Sequence, residues 1–172
     1  MRFRRRRRSN DGFSLVEVLV AVSILAVALT SLAQLFVLAT GANANARVTT
    51  EAAVAARQKM EQLRALAWSV DPLGLPVTEP GLQPSPAGAL SKDVPGYCDY
   101  LDGRGRSLGT GGSPPPGTVV VRRWSIEPLP GFGNDIIVVQ VVAGFRRSAA
   151  SGDSSALGNS VRLVAVRTRK GM

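Results

Sequence analysis

The chain has 172 residues, a formal net charge of +9 and 45% hydrophobic residues. This allows one modest domain plus appendages, with an apolar content that is high for a water-soluble protein. Histidine is absent and Cys98 is the single cysteine. That excludes Ser-His-Asp triads, His-ligated metals and an intramolecular disulfide, so neither an enzyme nor a cofactor or metal is expected.

The basic charge is unevenly placed. Arg2 and Arg4 to Arg8 supply six of the 21 Lys and Arg residues, while the body from Phe13 onward is only net +4. Clustered arginines can neutralise phosphates, but these lie flush against an apolar run. That arrangement is a positive-inside signal, which keeps the N-terminus in the cytoplasm and sends the remainder across the membrane.

From Val18 to Ala46 no residue is charged, and from Phe13 to Val70 there is no proline, so a helix can run throughout. About 20 apolar residues span a bilayer core, and Phe13 to Leu38 exceeds both that and the length of a cleaved secretory signal. Small residues such as Ala21, Ser23, Ala26 and Ala33 allow neighbouring helices to approach closely. Glu17 interrupts the run near its start. A carboxylate in hydrocarbon costs about 2.5–3.5 kcal/mol on insertion scales and calls for a partner, unless it snorkels to the headgroups.

After Gly41 the sequence turns to strong helix formers, with Val48, Ala52, Ala56, Met60, Leu63 and Ala67 at three- and four-residue spacing. One apolar stripe on a polar helix predicts packing against something outside the membrane. Asp71 to Gly117 is rich in proline and glycine and reads as a long irregular loop region. Within it "YCDYLDGRGRSL" predicts a short hairpin turning at Asp102-Gly103. Asp99 and Asp102 lack the alternating oxygen ligands of a calcium loop, so a turn is favoured over a metal site.

Three β-branched runs follow: Thr118–Ile126, Asp135–Phe145 and Ser160–Thr168. Their connections are too short for helical crossovers and predict an antiparallel meander. The expected fold class is α+β: a long N-terminal helix, its first half transmembrane, packed on a small antiparallel sheet of three or four strands. The expected segments are a basic leader (1–12), a transmembrane helix (13–40), its amphipathic extension (41–69), a variable loop region (70–117) and the meander (118–170).

The order of a short basic leader, Gly12, Phe13, apolar residues and Glu17, written "GFSLVE", resembles the type IV pilin-like prepilins. "AARQKMEQLRALAW" and "VRRWSI" more loosely resemble the minor pilins and minor type II secretion pseudopilins. The resemblance implies that a membrane prepilin peptidase cuts between Gly12 and Phe13 and N-methylates Phe13. A hydrogen side chain at Gly12 suits close approach of a protease to the backbone. The resemblance also implies that Glu17 pairs with the new N-terminal amine of an adjacent subunit. Implied partners are the peptidase, other pilin or pseudopilin subunits, the inner-membrane assembly platform and, before assembly, membrane lipid. Implied locations are the inner membrane, as a single-pass protein with a periplasmic domain, and then a periplasmic or extracellular filament. The mid-helix proline and disulfide-bounded loop of many major pilins are missing, which favours a minor subunit that starts or caps a filament.

Three other signals are weaker. Arg122, Arg123 and Trp124 could form a DNA-contacting surface, but Trp124 as sheet core with the arginines as its solvated neighbours is favoured. "SGDSS" (151–155) has no histidine to activate a serine and reads as a hairpin tip. Cys98, between two tyrosines, reads as a small packed hydrophobe.

Overall fold

A computed structural model describes residues 12–131, 135–146 and 157–169. Helix α1 runs from Leu15 to Ala65, 51 residues without interruption. The Ser14 carbonyl accepts the backbone N–H groups of Glu17 and Val18 and so starts the helix. By contact density the chain divides into two compact units, residues 1–44 and 45–172.

In the first unit every described residue is exposed. An 18-residue window of the helix reaches a mean hydropathy of 2.5 with none of it buried. Ser23, Thr30, Ser31 and Thr40 each donate their hydroxyls to a carbonyl three or four residues back. Their polarity is thus satisfied within the helix, as hydrocarbon requires.

Among the described residues the second unit has seven strands: β1 (Trp68–Val70), β2 (Pro76–Thr78), β3 (Cys98–Leu101), β4 (Ser107–Thr110), β5 (Val120–Pro128), β6 (Ile136–Arg146) and β7 (Leu157–Thr168), with a 3-10 turn at Pro80–Leu82. β1 and β2 form a separate two-stranded ribbon, and the others form one five-stranded sheet in the order β4-β3-β5-β6-β7. All pairings are antiparallel. The expected three or four strands were therefore too few. The hairpin joins the meander edge-on, with β3 against β5, and β1 and β2, at three residues each, are too short to leave a local signal.

The C-terminal part of α1 lies on this sheet. Ala52, Ala55, Ala56, Met60 and Leu63 are its buried residues, and most of them share one core with Trp68, Leu82, Leu101, Trp124, Ile126, Ile137, Val139 and Val141. Three consecutive contact positions are alanines, which lets the helix backbone come close to the strands. The expected stripe is shifted at its ends: Val48 is half-buried, Ala67 is exposed past the helix, and Leu66 packs instead. Alternate β6 residues face this core, and the alternation slips between Ala143 and Phe145. A Cβ at Gly144 would come within 2.8 Å of Leu157 Cβ and 2.9 Å of Ser160 Cβ, so only glycine fits that irregularity.

In the β3–β4 hairpin, Asp102 accepts the backbone N–H groups of Arg104 and Arg106 on Oδ1 and the Arg106 guanidinium on Oδ2. The residue of the turn with positive φ, at 76°, is Gly105 rather than Gly103. The loop is thus wider than the expected tight turn at Asp102-Gly103.

Candidate functional site

Gly12 and Phe13 precede α1, separated from its first residue by Ser14. Neither steric need nor backbone conformation calls for glycine at position 12, since a Cβ there would meet nothing within 4 Å among the described residues. Phe13 is 82% exposed. Glu17 falls in the first helical turn, where its N–H donates to the Ser14 carbonyl. It is exposed, and no ion pair among the described residues involves it. A carboxylate in the first turn faces the positive end of the helix dipole. This lowers the cost of holding a charge at the head of an apolar helix, and it leaves both carboxylate oxygens available to a cation from elsewhere. Residues 1–11 of the expected 1–12 leader lie outside the described residues, as does the Ser151–Ser155 stretch.

The remaining sequence candidates are drawn into the globular unit's interior. Asp99 receives Arg122 Nε at 2.6 Å and Nη2 at 2.8 Å, and Lys59 Nζ at 3.0 Å from α1. Lys59 also lies 3.7 Å over the Trp124 ring centroid. Arg123, on the opposite face of β5, donates to Asp93 at 2.7 Å and to the Ser91 carbonyl. Arg122, Arg123 and Trp124 are all buried. The arginines are therefore not solvated neighbours of Trp124, and the three residues form no surface for DNA. Sequence reasoning missed this network because Lys59, Asp93 and Asp99 come from distant segments and carry no spacing signal.

Cys98 is fully buried beside Tyr100, and Gly111 O accepts from both the thiol and the Tyr100 hydroxyl. Burial foremost pushes both acids up, Cys98 above its usual thiol range and Tyr100 above its usual phenol range. The thiol is thus held neutral and unreactive. Asp99 and Asp102 are committed to arginine and lysine partners, and among the described residues no group of three His, Cys, Asp or Glu side chains is placed to hold a metal.

A cavity of about 300 Å³ opens beside Trp68, lined by Leu82, Pro84, Pro128, Ile137 and Arg169 among others. Its lining also includes Thr78 and Asp135, both engaged by Arg169, Thr78 as an acceptor at 3.2 Å and Asp135 as an ion pair at 3.4 Å. The head of α1 presents Gly12 and Phe13 exposed, an apolar helix that is exposed throughout its described residues up to residue 44, and one carboxylate in its first turn.

Comparison with protein families identifies residues 7–33 as a match to the family described as the prokaryotic N-terminal methylation motif. That motif is the hallmark of type IV pilin and pseudopilin prepilins. Comparison with curated proteins and with solved structures finds no significant match to either.

Proposed function

We propose that this chain is a minor subunit of a type IV pilus or of a type II secretion pseudopilus, acting in filament initiation or at the tip. The observation that carries the reading is the methylation motif over residues 7–33 heading a 51-residue helix whose apolar part is exposed. A prepilin peptidase cuts between Gly12 and Phe13 on the cytoplasmic side and methylates the Phe13 amine. The cut places a new cation at the positive end of a helix dipole, where it is electrostatically disfavoured until it meets a carboxylate. Glu17 of an adjacent subunit supplies that carboxylate. Pairing offsets the desolvation of both groups and fixes the axial register between subunits.

The helix is thus a membrane anchor before assembly and a filament core afterwards, with the sheet domain on the periplasmic side. The chain performs no catalysis in this role. Mass spectrometry of the mature protein should find an N-methylated phenylalanine at Phe13. An intact leader on assembled protein would sink the reading and favour an uncleaved anchor for a periplasmic binding domain. Glu17→Ala should leave membrane insertion intact and abolish filament incorporation; normal incorporation would overturn the pairing.

A further inference from the structure

Gln34 lies within the apolar run of α1, about 25 Å along the axis from Glu17. It therefore falls inside a hydrocarbon core about 30 Å thick, with apolar Leu35 to Leu38 still to follow. Unlike Ser23, Thr30, Ser31 and Thr40, which turn back onto their own helix, the Gln34 side chain makes no hydrogen bond among the described residues. A five-atom side chain ending in a primary amide is left exposed between Ala33, Val37 and Leu38. In hydrocarbon such an amide costs several kcal/mol unless another helix satisfies it.

We infer that Gln34 is a helix–helix contact through which two copies of this chain associate in the membrane before assembly. The occupant follows from the chemistry. Two copies inserted by the same signal are parallel, so a two-fold axis along the bilayer normal sets each residue opposite itself at equal depth. An amide carries both donors and an acceptor, so Gln34 opposite Gln34 forms reciprocal bonds that no hydroxyl or apolar residue can form. With Gln34 at the contact, the row Val27, Ser31, Gln34, Leu38 and Gly41, at alternating spacings of four and three, would form the seam of a parallel pair. Ser31 bonds back to Val27 of its own helix, which leaves Gln34 as the polar group in this seam free to set register and copy number. At Gly41 a Cβ would meet nothing, so a bare backbone at the outer end of the seam permits close approach.

The inference rests on membrane anchoring by residues 13–40 but not on cleavage or on Glu17. The test uses the full chain in native membranes with Cys98→Ser. Leu38→Cys on the seam and Phe36→Cys, about 200° away around the helix, are oxidised in turn. Leu38→Cys should give a disulfide-linked species of twice the chain mass, and Phe36→Cys little. Adding Gln34→Leu should cut the Leu38→Cys product about tenfold, while Gln34→Asn should retain most of it. Equal cross-linking at both positions, indifference to Gln34→Leu, or adducts only with a protein of different mass would overturn the contact. Extraction of the chain by alkaline carbonate would overturn the anchor reading and this inference together. An inserted chain that fails to cross-link overturns this inference alone.

Discussion

At the scale of single residues, the second unit depends on a charge cluster with two cations and one anion. Asp99 neutralises Arg122 through two bonds and holds Lys59, and the Trp124 ring face takes up part of the remaining ammonium charge. Removing the anion leaves two buried cations, so Asp99→Ala should cost about 3–5 kcal/mol. Lys59→Met should cost far less, because it removes charge from a cluster that is net positive. Denaturant unfolding of the detergent-solubilised chain measures both, and equal costs would refute this account. Cys98 and Tyr100 make the unit sensitive to alkali. Their folded pKa values are raised, so the stability they contribute is complete below their ordinary ranges and is lost as pH rises through the folded values. Unfolding free energy should therefore fall progressively as pH rises above about 9, and Cys98→Ala should flatten the earlier part of that fall. Before unfolding, Cys98 should resist maleimide at pH 8, and labelling at the rate of a free thiol would show that its burial is not maintained.

At the scale of elements, α1 is held at its outer end by a strand that lies far along the chain. Arg167 on β7 donates Nη1 to the Leu63 carbonyl and Nη2 to the Leu66 carbonyl, satisfying orphan acceptors at the helix C-terminus. Burial first, and then the nearby Arg64 charge, push Arg167 below the usual guanidinium range, so this cap is made in an unfavourable setting for a cation. Arg167→Met should lose about 1–3 kcal/mol and accelerate amide exchange in the last turn of α1 while leaving β5 and β6 protected. Uniform loss of protection would mean the arginine supports the sheet rather than the helix end. Met60, buried where α1 crosses the sheet, should cost about 2–5 kcal/mol on change to Ala. Ala56, fully buried at the same face, should also resist enlargement, with Ala56→Leu costing about 1–3 kcal/mol through overpacking.

At the scale of the whole molecule, the two units differ in kind. Every buried residue of the described chain lies at Ala52 or beyond, whereas Leu15 to Leu38 carries a run of large apolar side chains that are each at least half exposed. Contiguous apolar surface of that extent marks a membrane or protein interface. Removing residues 1–44 should leave a protein that is soluble without detergent and unfolds cooperatively on heating; loss of the cooperative transition would show that the sheet domain needs the apolar helix. What was legible in the sequence follows from periodicity and one-dimensional order. The absence of proline over residues 13–70, the three- and four-residue spacing around Ala52, Ala56, Met60 and Leu63, and the β-branched runs of β5, β6 and β7 each declare an element, because helix and strand repeats are local. The methylation motif over residues 7–33 was equally legible, because it is an order of residues in one continuous stretch rather than a folded surface. Arg122 and Arg123 looked solvated and are buried, since only the folded sheet brings Asp99 and Asp93 to them. The edge-on addition of β3 and β4, the β1–β2 ribbon and the Arg167 cap were likewise decided by tertiary structure, because each joins residues far apart in the chain. The sequence by itself determined an apolar helix with a carboxylate near its head and a sheet to follow; only the folded chain decided which charges that sheet could bury, because a buried ion is tolerable only where its partner is brought to it.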